Sequence, residues 1–214
     1  MKVWISENIS ENWKEYRRPL GSFLHLLTHA GSILPIVVGL WDFWQNSLGA
    51  NPILEITHRT GKTALILLIL SLAVSPLRLL LNWPQINKLR RPLGLYAFSH
   101  AAVHFSIFVV LDYGFHWQSI LQEILNRKFI LFGFTAGMIL LLLAVTSLTF
   151  FLKKLGKRWK KLHRFVYAAG ALAGTHFILA VKPGVLQPWY YAGILLSLLT
   201  FRIPPVQAWV KKRV

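Results

Sequence analysis

The chain alternates between long apolar segments and short polar or basic runs. As a helix, a segment of about 20 apolar residues crosses the roughly 30 Å hydrocarbon core of a membrane. The pattern therefore predicts an all-α protein, a bundle of six membrane-spanning helices. They are expected over about Leu20–Trp41, Thr63–Leu81, the residues that follow Pro92 as far as Leu111, Phe129–Leu152, Leu162–Val181 and Pro188–Ile203.

The polar runs divide the chain into an N-terminal segment (1–19), a membrane domain (20–203) and a basic tail (204–214). In the N-terminal segment, apolar residues recur at helical spacing, which indicates either an interfacial helix or a frayed tail. These residues are Ile5, Ile9, Trp13 and Tyr16. A polar loop, 42–62, is expected before the second span and an amphipathic connector, 112–128, before the fourth. The pattern shows no internal repeat.

Lysine and arginine are divided unevenly between alternate connections. Nineteen lie on one side of the predicted spans and five on the other. Loops rich in Lys and Arg stay in the cytoplasm. Both termini are therefore predicted to be cytoplasmic, with the chain in the inner (plasma) membrane.

Composition supports a membrane protein and excludes several other classes. The hydrophobic fraction is 55%, the charged fraction 14% and the mean hydropathy +0.50, which is too apolar for an ordinary soluble domain. The net charge of +17 lies in short runs at the span ends, so it does not indicate a nucleic-acid partner. Because the chain has no cysteine, any haem must be bound non-covalently and thiolate-bound iron–sulfur clusters are excluded.

Two histidines lie deep in predicted spans at matching depth. Counted from the cytoplasmic side, His104 is thirteen residues (about 20 Å) past Arg91 and His176 fifteen residues (about 22 Å) past Lys161. Ionisable side chains at such depth are costly and mark functional sites. Two facing imidazoles satisfy a six-coordinate b-type haem between helices. The alternative is a structural role, in which each histidine bonds a neighbouring helix.

A third histidine, His163, lies at the predicted cytoplasmic mouth of the fifth span. Thirteen residues of straight helix would turn it about 140° away from His176. Either His163 precedes the regular helix, or the helix is distorted, or the two histidines serve different sites. His100 and His29 are candidate partners for His163 in a second site. For His25, His29 and His100 the structural role is favoured, and the outer-loop His58 and His116 are expected to be solvated.

Two further features have alternative readings. The small-residue run of the fifth span favours either close helix packing or room for a flat macrocycle. It contains Ala168, Ala169, Gly170, Ala171, Ala173 and Gly174. Arg78 and Arg91, at cytoplasmic span ends, are either membrane anchors or partners of haem propionates.

Four strings of the sequence resemble one family. They are NPILEITHRTGK (51–62), RRPLGLYAFSHAAVHFSIF (90–108), GKRWKKLHRFVY (156–167) and THFILAVK (175–182). They resemble the MsrQ family of haem-binding membrane subunits of periplasmic methionine sulfoxide reductase systems, within the ferric-reductase-like transmembrane group. The resemblance implies that His104, His163 and His176 are haem-associated, that one or two haem b groups are bound and that FMN is a further cofactor. His100 has no counterpart expected from the family.

The resemblance also implies a path of electrons. They would enter from the quinone pool or a cytoplasmic flavin reductase and leave to a periplasmic molybdopterin subunit that reduces methionine sulfoxide. The hypothesis is thus an electron-transfer subunit whose catalytic site lies on a partner. The alternatives are a ferric, metal-ion or quinol-linked reductase of the same membrane group, or a transporter or proton channel with a histidine relay.

Overall fold

The computed structural model describes residues 2–211 and the side chains of residues 21–210, and all regular structure in this part is helical. The α-helices are α1 Lys2–Trp44, α2 Pro52–Leu80, α3 Arg90–Ile107, α4 Trp117–Asn126, α5 Lys128–Val145, α6 Thr149–Leu155, α7 Lys157–Leu162, α8 Val166–Ala180, α9 Gln187–Thr200 and α10 Pro204–Lys211. Short 3-10 helices cover Pro84–Leu89 and His163–Phe165, and a π-helical turn, Phe108–Asp112, extends α3.

Four helices form the centre of the bundle. α2 packs along α3, and α5 packs along α8. The two pairs meet where α3 contacts α5 and α2 contacts α8, while α1 and α9 lie on the outside. A cluster of buried side chains joins all four helices, among them Leu68, Leu93, Leu140 and Ala169. We call the end that contains Arg90, Arg91 and α7 the basic end.

The all-helical prediction is confirmed for the described residues, but the count of six spans stays a prediction. Four helical segments are long and apolar enough to cross a membrane: 21–44, 52–80, 84–112 and 128–145. A fifth is obtained if α9 and the start of α10, which meet at 82°, count as one broken span. α8, the predicted fifth span, has 15 residues of α-helix and is too short to meet that criterion alone.

The second predicted span begins earlier than expected. Residues 52–62, predicted as loop, form the first three turns of α2. Asn51 caps them, since its side-chain oxygen accepts a hydrogen bond from Leu54 N at 3.1 Å, and Pro52 occupies the first helical position. His58 therefore lies on a helix and not in a loop, although it is exposed.

The fourth predicted span ends earlier than expected. α5 stops at Val145, and residues 146–148 form a turn before α6. The carbonyls of this turn are bonded by distant side chains: Trp159 Nε1 donates to Thr146 O at 2.9 Å, and the Arg91 guanidinium donates to Ser147 O. Because these donors satisfy the carbonyls, the chain leaves the helix without orphaned polar groups.

The small-residue run of α8 serves packing. Ala169, Gly170 and Gly174 are buried. A β-carbon at Gly170 would lie 3.2 Å from Leu72 Cδ1, and one at Gly174 would lie 2.8 Å from Leu195 Cδ1. The run therefore lets α2 and α9 approach α8, which is the first of the two alternatives raised by the sequence.

The two amphipathic predictions have different outcomes. The connector is confirmed as α4, which buries Ile120 and Ile124 against the π-turn and α5. The backbone of the N-terminal segment is helical from Lys2 and continuous with the first span. The proposed apolar face of that segment lies outside the described side chains, so the interfacial helix stays a prediction.

Candidate functional site

His104 of α3 and His176 of α8 face each other across the bundle. Their ring centroids are 6.2 Å apart and their planes cross at 76°. Both side chains are partly buried. The structure therefore brings together the two histidines that depth counting had paired, and neither is turned away to the lipid side.

Each imidazole is held by a backbone carbonyl of the neighbouring helix. His104 Nδ1 donates to Thr57 O of α2 at 2.9 Å, and His176 Nδ1 donates to Phe129 O of α5 at 2.6 Å. A bond from Nδ1 to a carbonyl fixes the tautomer and leaves Nε2 with its lone pair available. Within the described residues, Nε2 of neither histidine makes a hydrogen bond.

A glycine beside each ring makes the approach possible. A β-carbon at Gly61 would come within 2.9 Å of His104 Cε1, and one at Gly133 within 2.7 Å of His176 Nδ1. Each glycine lies four residues after the carbonyl that its histidine bonds. Because side chains on a helix tilt toward its N-terminus, a residue at that position would cover the carbonyl. Glycine leaves the carbonyl open to the imidazole.

The separation of the two imidazoles and their hydrogen bonds fit an iron porphyrin. The 6.2 Å between the ring centroids is compatible with one iron ion held between the two imidazoles. Neither Nε2 atom bonds any side chain that the structure describes, and each Nδ1 has the carbonyl acceptor that haem-ligating histidines need. Within residues 21–210, no group of three or more His, Asp or Glu side chains could hold a metal ion. The two imidazoles are a donor pair that haem iron accepts.

A repeated glycine motif, which the hydropathy pattern does not show, is the sequence signal for this site. Gly-x-Thr-Ala occurs at 61–64 and again at 133–136, and each glycine is followed 43 residues later by His-Phe. All corresponding positions are 72 residues apart, including the two bonded carbonyls of residues 57 and 129. The chain therefore contains an internal repeat, contrary to the expectation stated above. Hydropathy alone did not reveal it because most matching positions are interchangeable apolar residues.

His163 lies away from the pair, in the 3-10 turn before α8 begins. This is the first of the three alternatives considered for it. Its ring stacks on Trp159 with centroids 3.9 Å apart, and its Nε2 lies 3.3 Å from Thr146 Oγ1. The structure places His163 at the basic end, where its imidazole interacts electrostatically with Arg90 and Arg91.

The histidines considered as partners for His163 are engaged elsewhere. His100 is buried on the face toward α1, where its Nε2 bonds Ser32 O at 2.8 Å. His29 Nδ1 lies 2.9 Å from the Tyr96 hydroxyl, and His25 stacks on His29. These contacts fit the structural roles favoured for His25, His29 and His100. The exposed His116 bonds Tyr113 O in its own turn.

The two arginines suggested for haem propionates lie near the basic end. Arg91, thirteen residues or about 20 Å along α3 from His104, donates to Ser147 O. Arg78 lies in the last turn of α2 and lines a separate cavity. Their contact with propionates stays a prediction.

Comparison with known proteins gives a consistent result. Residues 60–174 match the family described as ferric reductase like transmembrane component. The chain is 43% identical over 183 residues to the protein-methionine-sulfoxide reductase heme-binding subunit MsrQ of Xanthomonas axonopodis pv. citri, covering 83% of this chain and 84% of that protein. It is 40% identical over 198 residues to the MsrQ of Bordetella pertussis, covering 92% and 94%. No solved structure matches.

Proposed function

The chain belongs to the MsrQ family of heme-binding subunits, within the ferric reductase like transmembrane family, and we propose that it is the electron-transfer subunit of a methionine sulfoxide reductase system. The observation that carries the proposal is the pair His104–His176, with both Nδ1 atoms bonded to carbonyls and neither Nε2 atom bonded within the described part of the chain. His104 and His176 would hold one haem b through their Nε2 atoms.

A haem held in this way supplies one-electron transfer. The side chains of the chain set the conditions for it. His104 and His176 would both bind the iron, and histidine ligands of this kind favour electron transfer over the binding of oxygen. The carbonyls of Thr57 and Phe129 make the imidazoles better donors by accepting their Nδ1 protons in hydrogen bonds. The helices α2, α3, α5 and α8 surround the two partly buried rings.

The remaining parts of the proposal come from the family and from charge distribution. Both termini are proposed to be cytoplasmic in the inner membrane, since the lysine- and arginine-rich connections lie at one end. This orientation places the histidine pair nearer the periplasm, where a molybdopterin reductase subunit for methionine sulfoxide would accept the electrons. The quinone pool or a cytoplasmic flavin reductase would donate them, and FMN and a role of His163 at a second haem are proposed from the resemblance alone.

An absorption spectrum of the purified full chain tests the haem. We expect a b-type spectrum with split bands after reduction and a return to the oxidised spectrum in air. The haem-to-protein ratio, measured on the denatured pigment, gives the number of haem groups. A colourless protein expressed with adequate haem supply would overturn the proposal and favour a proton channel or transporter.

The acceptor is tested by reconstitution. The reduced chain in vesicles is mixed with the periplasmic reductase subunit from the same organism or, separately, with ferric chelates. We expect fast reoxidation by the reductase only in the presence of methionine sulfoxide. Fast reoxidation by ferric chelates, with no response to the reductase, would instead favour a metal-ion reductase.

A further inference from the structure

Three arginines from different parts of the chain line one cavity of about 310 Å³ at the basic end. Arg78 lies in the last turn of α2, Arg90 begins α3, and Arg202 lies in the bend between α9 and α10. Ser75, Asn87 and Gln207 add polar groups to the same wall. The 82° bend after α9 brings Arg202 and Gln207 onto the cavity. We call it the arginine cavity.

One of the three arginines is fixed in place by the fold. Arg202 Nη2 donates to Leu72 O at 3.0 Å, and its guanidinium lies 5.1 Å from the Tyr167 ring centroid. The guanidinium groups of Arg78 and Arg90, in contrast, make no hydrogen bond or ion pair with any side chain described in residues 21–210. Two of the three arginines therefore keep their donors available to a ligand.

No described carboxylate balances this charge. The acidic side chains within residues 21–210 are Asp42, Glu55, Asp112 and Glu123, and all four lie at the other end of the bundle. The ion pairs described in this part of the chain are there too, where Arg59 bonds Asp42 and Glu55, and Arg127 bonds Glu123. Three cations that converge on one concave site, with no carboxylate of residues 21–210 beside them, create a potential that favours a bound anion.

We propose that the arginine cavity binds a phosphate group, carried either by an anionic phospholipid or by a soluble phosphate compound. The planar guanidinium fork matches phosphate oxygens in paired hydrogen bonds, which a simple membrane anchor does not require. The volume lies at the lower end of the range for small-molecule sites. The cavity is distinct from the histidine pair, because Arg90 precedes His104 by fourteen residues, or about 21 Å along α3.

The test uses the full chain and the double variant Arg78→Gln with Arg90→Gln. In the lipid arm, native mass spectrometry records whether protein purified in mild detergent retains phosphatidylglycerol. In the soluble arm, calorimetry titrates delipidated protein with inorganic phosphate. We expect binding in one arm and a loss of about tenfold or more in affinity in the double variant, since each lost bond joins charged groups.

The matched control is Arg158→Gln with Lys160→Gln, which removes two positive charges at the same end but outside the cavity. If the wild type and the control retain phosphatidylglycerol and the double variant does not, the ligand is a lipid headgroup. If the wild type and the control bind inorganic phosphate and the double variant does not, the ligand is a soluble phosphate compound. If the double variant does not fold, Arg78→Gln alone replaces it, because that exposed side chain has no bond described. Equal binding by variant and control, or no binding in either arm, would overturn the proposal.

Discussion

The two halves of the bundle, α2–α3 and α5–α8, place their histidines by the same device. In each half, a histidine near the end of the second helix bonds a carbonyl near the start of the first, 47 residues earlier. In each, a glycine one turn after that carbonyl makes room for the ring. The repeat therefore preserves the two features that orient each imidazole, which are the bonded carbonyl and the neighbouring glycine. The two imidazole rings lie 6.2 Å apart because two equivalent scaffolds pack together.

At the basic end the halves differ. The residue that corresponds to His163, 72 positions earlier, is Arg91, and the residue that corresponds to Thr146 is Val74. Arg91 bonds the turn after α5, whereas His163 contacts Thr146 and stacks on Trp159. The repeat thus places one histidine from each half, His104 and His176, at the same level. At the basic end, only the second half has a histidine at the corresponding position, which is His163. Two-histidine ligation by equivalent residues is available only at the level of His104 and His176.

The largest expected effect comes from removing a histidine of the pair. We expect His104→Ala and His176→Ala each to abolish the b-type spectrum of the two-histidine haem, because one imidazole cannot fill both axial positions. The loss should be equal for the two variants, since the halves hold their rings in the same way. Absorption and electron paramagnetic resonance spectra of the purified variants measure it.

Two other variants complete this comparison. His163→Ala should keep the signal of the two-histidine haem, because His163 belongs to the other level, and His116→Ala should change nothing. If His163→Ala removed the signal while His104→Ala kept it, the pairing of the two halves would be wrong.

A smaller effect is expected at the two glycines. Gly61→Ala and Gly133→Ala would each place a β-carbon within 3.0 Å of an imidazole, so the ring must move and its bond to the carbonyl must lengthen. We expect haem affinity to fall about tenfold in each, in line with the effect of losing a second-shell partner. Titration of the apoprotein with haem measures the affinity.

Gly137→Ala is the matched control, one turn further along α5. A β-carbon there would meet nothing within 4 Å. Since alanine favours a helix by about 1 kcal/mol over glycine, this variant should be at least as stable as the wild type, with unchanged haem affinity. Equal affinities for Gly133→Ala and Gly137→Ala would mean that the open carbonyl has no part in placing the ring.

The sequence predicts the fold class and the level of the site because both follow from constant helix geometry. Rise per residue and the basic runs at the span ends were enough to match His104 with His176 in depth. The ends of the helices could be predicted less well from the sequence. The end of α5 depends on Arg91 and Trp159, which are far away in the chain, and no local pattern contains that information.

The partners of the two histidines could not be predicted from residue types. Thr57 and Phe129 contribute backbone carbonyls, and a carbonyl is present at every position, so side-chain chemistry gives no signal there. The glycines do give one, as the repeated Gly-x-Thr-Ala. It is visible only when the two halves are compared with each other, which hydropathy averages do not do.

The smallest expected effect concerns Thr146, where the second half has a hydroxyl and the first half has Val74. Thr146 Oγ1 donates to Leu142 O at 2.7 Å and lies 3.3 Å from His163 Nε2. Thr146→Val gives the second half the residue of the first with little change of shape. We expect the free energy of unfolding to fall by about 1 kcal/mol, the usual net value of one hydrogen bond.

Thr146→Ser, which keeps the hydroxyl, separates the lost bonds from the lost methyl group. Unfolding by sodium dodecyl sulfate, followed through tryptophan fluorescence, measures both variants. Because Trp159 stacks on His163 and bonds Thr146 O, its emission should shift in Thr146→Val and not in Thr146→Ser. The opposite order would mean that Thr146 acts by packing, as Val74 does in the first half. The difference between the halves at the basic end would then rest on His163 and Arg91 alone.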